Sequence, residues 1–459
     1  MRPKPMHMLR SALVGLGLLV GTSALAVPGE GLRVGETTFS PAVTTGLEFR
    51  SNPYLSPGRV ALRADQSTRP VGREVVPALA YYLRPEFMFR VDNRHIRVNF
   101  SADYRLRSFL VPTETRNLNR FNDFTVNLGI DALRRSPIGI YLNNGAATRN
   151  QPIDTPFQPT ALLFQFRNQL RGGLIARPSP DVDIRAGAEY IFRNFRLPRQ
   201  GGTIPFNARN TIGPHAEVRW RFLPRTAVVI DASYQRHTWR ENWVQTGAPD
   251  PNAPGALGRF LAIPDSQHIR GLAGLRGQVT EKLSITGQVG YGVGLYDAES
   301  VLSASGLDAS GDNEANPARS GFDANVSGAE GILAVVRAEY DSGFEANQNL
   351  GQRLHAEYRK DFLDMFFTNY LAYNGFSLGL SSRWTQVVAT DLTWMGRVER
   401  YNGEVERRDF FQVASLGVHF DATRWFRVTT SGRWIQRASS ETPNQYDDFQ
   451  AMLLLSARY

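Results

Sequence analysis

The chain has 459 residues, is 42% hydrophobic and 21% charged, and carries a formal net charge of +9. That length serves several soluble domains or one large closed barrel. It contains no cysteine, which excludes a disulfide framework, a thiolate metal site and a cysteine nucleophile.

Residues 1–26 have the organisation of a secretory signal peptide. Arg2, Lys4 and Arg10 form a basic start, Leu13–Val20 an apolar core, and Ala24-Leu25-Ala26 a small-residue cleavage site. The core is well short of the ~18–20 apolar residues of a membrane-spanning helix. No cysteine follows the site, so it is not a lipoprotein signal. Its removal takes three cations and lowers the net charge from +9 to +6. No later apolar run is long enough for a helical span, so any membrane the mature chain crosses is crossed by strands.

Residues 27–37 form a short polar periplasmic leader, too short for a plug or a periplasmic domain, and 38–459 are read as one barrel. The first strand is Ser40–Arg50, followed by a Pro/Gly/Arg-rich loop to about Gly72. Next comes a hairpin, Val75–Val91 with Arg94–Arg107, turned at Asp92-Asn93. Ile96, Val98, Phe100, Ala102, Tyr104 and Leu106 share one face of its second strand. Arg97, Asn99, Ser101, Asp103, Arg105 and Arg107 share the other. A one-residue slip would turn three arginines into lipid, at roughly 2–4 kcal/mol each at the midplane. That cost fixes the register and makes the charged face the lumen.

The pattern recurs near 121–133, 138–149, 162–177, 182–196, 209–222, 225–239, 268–280, 283–296, 328–341, 347–360, 369–383, 387–401, 409–420 and 425–438. Short turns such as Ser136-Pro137, Glu281-Lys282, Trp384-Thr385 and Ala422-Thr423-Arg424 alternate with longer loops at 51–72, 110–119, 150–161, 197–208, 240–266, 297–327 and 402–408. One short and one long connection in turn is the signature of an antiparallel up-and-down transmembrane barrel with periplasmic turns and extracellular loops. Both termini fall on the short-turn side. The count is eighteen strands, the weakest being those at 347–360 and 369–383, with sixteen as the alternative. A soluble sandwich or propeller would leave the apolar faces of such long strands uncovered.

The last strand, Tyr446–Tyr459, places Phe449, Leu453, Leu455 and Tyr459 on a wholly apolar face and ends on an aromatic residue. This resembles the closing strand of bacterial outer-membrane barrels. The resemblance implies pairing with the first strand, contact with outer-membrane lipid and recognition by the outer-membrane assembly machinery.

Catalytic signatures are lacking: there is no G-x-S-x-G, H-E-x-x-H or P-loop. No two histidines stand at metal-ligand spacing, so neither metal nor cofactor is expected. His237, Ser233 and Asp231 share a strand face, but residues four apart on a strand lie ~13 Å apart, too far for proton transfer. The chain is read as a non-enzyme. The acidic loop with Asp297, Glu299, Asp308, Asp312, Glu314 and Asp323 matches no calcium motif and is read as a solvated outer loop.

The inward face carries the functional information. Lysine occurs only at Lys4, Lys282 and Lys360, so the positive charge is arginine, spread singly rather than in basic runs, which argues against nucleic acid. The register turns Arg97, Arg105, Arg107, Arg167, Arg171, Arg185, Arg193, Arg219, Arg221, Arg270, Arg276, Arg337, Arg353, Arg359, Arg397, Arg427, Arg433 and Arg437 inward. Acids accompany them, among them Asp103, Asp131, Asp183, Glu189, Glu217, Glu357 and Glu399. Pairs across strands stiffen the wall, and the positive surplus favours anions. Tyr82, Tyr296, Tyr373, Tyr401 and Phe411 also face inward, where aromatics stack on sugar rings or pack on an inward loop. Glycines in Gly287–Gly294 leave room for an in-folded loop or relieve curvature, and the neighbouring loops at 240–266 and 297–327 are the candidates to fold inward as a constriction.

Ser40-Pro41-Ala42-Val43 through Gly46-Leu47-Glu48-Phe49 to Asn52, the Val76-Pro77-Ala78-Leu79 entry to the second strand, and the closing aromatic strand together resemble the β-barrel porin 2 family. Arg50-Ser51-Asn52 departs from it where acids are common in the family. The resemblance implies an eighteen-stranded barrel of an exopolysaccharide export system, with a polysaccharide as cargo and a periplasmic polysaccharide co-export protein as partner. The expectation is therefore a wide export channel. The alternative is a passive diffusion porin for small anionic solutes, which an inward constriction with clustered arginines would favour. A barrel acting through its surface loops would have a filled lumen.

Overall fold

The computed structural model describes residues 25–27, 31–52, 77–110, 120–153, 161–199, 202–240, 243–245, 260–262, 264–297, 328–343, 351–364, 370–402, 407–440 and 445–459. Most of the expected signal peptide and of the acidic loop lies outside these residues. The strands are β1 (Leu25–Val27), β2 (Gly31–Val34), β3 (Thr37–Arg50), β4 (Ala78–Asp92), β5 (Ile96–Phe109), β6 (Arg120–Ala132), β7 (Ile138–Ile153), β8 (Ala161–Ser179), β9 (Val182–Arg199), β10 (Gly202–Leu223) and β11 (Thr226–Trp239). They continue with β12 (Trp243–Gln245), β13 (Phe260–Ala262), β14 (Asp265–Gln278), β15 (Leu283–Asp297), β16 (Ala329–Asp341), β17 (Gln352–Asp364), β18 (Tyr370–Arg383), β19 (Val388–Asn402), β20 (Arg407–Asp421), β21 (Phe426–Ser439) and β22 (Tyr446–Arg458).

Strands β3–β11 and β14–β22 are the eighteen staves of a closed antiparallel barrel. Each pairs with its chain neighbour, and β22 closes on β3 from Gln450↔Arg50 to Arg458↔Ala42. Closure leaves no stave with a wholly free edge, the condition for strands to span lipid. Below the seam, Thr37–Phe39 lie beyond the reach of β22, and β2 takes that edge with Leu32↔Phe39 and Val34↔Thr37. The leader thus adds a short ladder at the turn-end rim, and β1, which straddles the expected cleavage site, pairs with β2 from Leu25↔Arg33 to Val27↔Gly31.

Several turns share one device. In each of three, a threonine hydroxyl accepts the backbone N–H groups two and three residues on: Thr280 from Lys282 and Leu283, Thr385 from Val387 and Val388, and Thr423 from Trp425 and Phe426. Asn93 does the same with its side-chain oxygen toward His95 and Ile96. Such side chains satisfy turn N–H groups that have no ladder partner.

Two of the expected loops are shorter than their sequence suggests. β7 and β8 stay paired to Ile153↔Ala161, and β9 and β10 to Arg199↔Gly202, so both hairpins continue as two-stranded ribbons. The register of the second ribbon shifts between Pro205 and Asn207, where proline offers no N–H to the ladder. β17 runs Gln352–Asp364 rather than 347–360, which places its last turn above the point where its neighbour β16 stops pairing with it.

The outward face is apolar along the staves, with Leu47, Ile140, Leu174, Ile230, Val289, Val336, Leu378, Leu416 and Leu453 exposed. Phe449, Leu455 and Tyr459 of the closing strand are exposed with them. Trp220, Phe222, Trp384, Phe420, Trp425 and Tyr459 gather near the turn end, an aromatic girdle at the height of lipid headgroups.

Candidate functional site: the barrel lumen

Strand pairing turns all the arginines named from the sequence toward the barrel axis, and most meet an acid across or along a strand. Arg97 pairs with Asp92 at 3.0 Å, Arg107 with Glu48 at 3.1 Å, Arg337 with Glu357 at 2.6 Å, Arg353 with Asp341 at 2.9 Å and Arg397 with Glu399 at 2.7 Å. Arg105, Arg221 and Arg270 make looser pairs with Asp103, Asp183 and Asp361 at 3.9, 3.6 and 3.6 Å. Arg167, Arg193 and Arg209 stand directly opposite one another on β8, β9 and β10, a cross-strand row of like charge. Arg185, Arg219, Arg276 and Arg433 carry no salt bridge among the described residues, although Arg185 stands opposite Glu217 and Arg219 opposite Asp183 on the neighbouring strand.

Two clusters cross several strands. Tyr141 on β7 reaches His215 on β10 at 2.5 Å, spanning β8 and β9 at Gly173 and Gly187, which lie opposite each other. A Cβ on Gly187 would meet the Tyr141 hydroxyl, so the strut requires glycine there. Arg171 Nε donates to the same His215 Nε2 at 2.9 Å. Since arginine only donates, that nitrogen is an acceptor and the imidazole is neutral. The second cluster stands at the loop end. Arg437 donates to Asp409 at 3.2 Å and to the Tyr401 hydroxyl at 2.9 Å, and Arg407 forms an ion pair with Asp409 at 3.0 Å while lying 3.9 Å over the Tyr401 ring. Arg397 lies over Tyr373 and Phe411 at 5.7 and 5.1 Å.

The glycine-rich face of β15 is covered from inside. Phe362, at the end of β17, packs on Ala329 and Leu333 of β16 and on the His268 ring of β14, at 5.4 Å. A Cβ on Gly292 would collide with the Phe362 ring. Arg270 holds this strand end in the lumen, donating to the Phe362 carbonyl at 2.6 Å with its guanidinium 4.9 Å over the ring. Tyr370, where the chain returns in β18, stacks on Tyr296 at 6.3 Å.

Access to the lumen wall is graded along the axis. At the loop end the inward charges are sealed: Glu48 is 1% exposed, Glu399 and Asp448 0%, and Arg407 2%. Tyr82 and Tyr401 are buried with them. Toward the turn end Asn99, Arg221, Arg276 and Glu339 are exposed. There a cavity of about 1220 Å³ opens, lined by Arg33, Glu36, Met88, Asn99, Asn127, Asn143, Gln169 and Arg171. Its wall on β5–β8 is mostly amide.

The sequence reading missed Glu48, Asp361, Asp409 and Asp448 as partners of the lumen arginines; parity along β3, β17, β20 and β22 was the available signal. It also missed the meeting of His237 and His268, whose rings lie 4.8 Å apart on neighbouring strands. Spacing along one chain segment cannot reveal a cross-strand pair. No cluster of three or more His, Asp or Glu able to hold a metal occurs among the described residues.

No protein-family model and no curated protein sequence matches the chain. The β-barrel porin 2 resemblance therefore rests on the loose motifs quoted above, and nothing found supports an exopolysaccharide export family. Among solved structures the chain is similar to OccK1 (OpdK) of Pseudomonas aeruginosa, at 10% identity and TM-score 0.43, covering 93% of this chain and 99% of that one. It is similar to a BenF-like porin from Pseudomonas fluorescens Pf-5, at 7% identity and TM-score 0.42, covering 93% and 100%. It is also similar to the siderophore receptor PiuA of Acinetobacter baumannii, at 10% identity and TM-score 0.47, covering 93% and 82%. Likenesses this weak carry no argument about cargo. The molecule's own geometry defines its class: a closed eighteen-stranded barrel, apolar outside and polar inside, is an outer-membrane β-barrel channel.

Proposed function

We propose that this barrel is a passive diffusion channel for small anionic solutes. The observation that carries the reading is the graded lumen: an open, amide- and arginine-lined vestibule on the turn side leads to a loop-side half whose charges are sealed. A path narrowed in this way suits small solutes. A polysaccharide with a periplasmic co-export partner asks for a wide, open bore along the full axis. The sign of the cargo follows from the arginine surplus of the wall, where Arg185, Arg219, Arg276 and Arg433 make no salt bridge among the described residues and would draw anions from water. In-folded aromatic chain at Phe362 and Tyr370, beside arginines held over tyrosine rings, supplies the constriction.

The test is single-channel recording of the purified barrel in planar bilayers under a tenfold KCl gradient. The expected reversal potential has the sign of chloride preference. It moves toward zero when Arg185, Arg219, Arg276 and Arg433 are changed together to Gln. A cation-selective channel, or a selectivity indifferent to those four residues, overturns the proposal. So does passage of long polysaccharide chains through reconstituted vesicles.

A further inference from the structure

The inward lean of the β17 end leaves a mark on the outside of the barrel. β16 and β17 pair from Asp341↔Arg353 to Ala334↔Lys360 and then part. Above that point Ala329–Leu333 pair only with β15, and Asp361–Asp364 only with β18. The wall is therefore indented on its lipid side at the loop end. A cleft of about 430 Å³ occupies the indentation, bordered by outward-facing Glu330 and Ile332 on one lip and Lys360, Val398, Arg400 and Arg408 on the other.

The charges on that lip are arranged unusually. Arg400 on β19 and Arg408 on β20 are direct cross-strand partners, so their Cβ atoms stand ~5 Å apart on the same outward face. Like charges in that relation repel unless an anion lies between them. Lys360 is one of only three lysines in the chain, and it borders the same cleft. None of the three cations has a salt bridge among the described residues, whereas two of the three carboxylates that line the cleft, Asp361 and Glu399, belong to inward-facing positions and pair with Arg270 and Arg397, so that Glu330 alone stands against the three cations on the outward lip. Exposed Ile332, Leu363, Val398 and Phe410 surround it. Cations on a lipid-facing surface are tolerated near the headgroups rather than at the midplane, which sets the height of the cleft at the outer edge of the membrane.

We propose that this cleft binds the phosphate of an outer-leaflet lipid headgroup. Arg400 and Arg408 would clamp the phosphate with their guanidinium groups, which offer paired donors matched to its oxygens. Lys360 would add a third charge, and the apolar surround would lie along the acyl chains. The occupant is lipid because the cations face the bilayer and not the lumen. The inference is independent of what the pore conducts.

The test is native mass spectrometry of the full barrel with bis-phosphorylated lipid A, using dephosphorylated lipid A as control. The expected result is a retained bis-phosphorylated lipid, at least tenfold weaker retention in R400Q/R408Q, and partial rescue in R400K/R408K. The R236Q variant, changing an outward arginine on β11, keeps wild-type retention. Unchanged bilayer conductance in R400Q/R408Q shows that the barrel is folded. Equal retention by wild type and R400Q/R408Q, or equal retention of dephosphorylated lipid, overturns the proposal. Displacement by millimolar inorganic phosphate overturns the lipid assignment in favour of a soluble anion.

Discussion

Asp448 is the residue whose loss the structure predicts to cost most. It sits on the closing strand with its side chain fully buried and accepts Arg50 Nε and Nη2 at 2.9 and 2.6 Å. It also takes the Asn52 backbone N–H at 2.8 Å and the Gln450 amide at 2.9 Å. Asp448→Ala removes the acceptor of all four bonds and strands the Arg50 guanidinium, itself only 10% exposed. Breaking a buried pair from one side costs about 3–5 kcal/mol. The slight access of Arg50 to water places the expectation near the lower end, about 3 kcal/mol. The assay is urea unfolding of the refolded barrel in short-chain lipid vesicles, followed by tryptophan fluorescence. Heat-modified mobility on gels reports closure. The double variant R50A/D448A should recover part of the loss, with a coupling of about 1–3 kcal/mol in a mutant cycle. A loss under about 1 kcal/mol for D448A, or no coupling, would refute the claim that this pair latches the seam.

Other expectations concern the wall and the lumen. Leu453→Arg on the lipid face of the closing strand should destabilise by about 2–4 kcal/mol in the same assay, whereas Thr429→Arg, facing the lumen, should cost far less. Thr385→Ala removes two turn hydrogen bonds and should cost about 1–2 kcal/mol without changing conductance. Gly187→Val forces Tyr141 away from His215 and should lower stability, with Tyr141→Phe reproducing the hydrogen-bond part of the loss. Phe362→Ala should raise single-channel conductance by widening the lumen beside β15, and unchanged conductance would show that the ring lies off the path.

The barrel was legible because lipid enforces strict alternation. Arg97, Arg105 and Arg107 cannot occupy the face of Val98 and Tyr104, so parity alone orients the strand. The turns were legible where Thr, Asn and Pro mark them. What stayed hidden depends on contacts between distant segments. Arg50 and Asp448 lie at opposite ends of the chain, and parity orients both inward without saying that they meet. Tyr141 and His215 are joined only because two glycines fall opposite each other between them. The inward lean of β17 was hidden for another reason. Its strand pattern reads as an ordinary stave, and the place where it leaves β16 depends on Phe362 finding the glycine face of β15. Length was misjudged at β9 and β10 because a ribbon beyond the rim no longer has to alternate for lipid.

The threonine-closed turns have a consequence for how such a molecule can change over time. Each fixes the offset of its two strands by hydrogen bonds made within four consecutive residues, without help from neighbouring hairpins. A hairpin closed in this way is a self-contained module. Duplicating or deleting one alters circumference by two staves and leaves the alignment of the others intact. Bore size is thereby open to change in discrete steps.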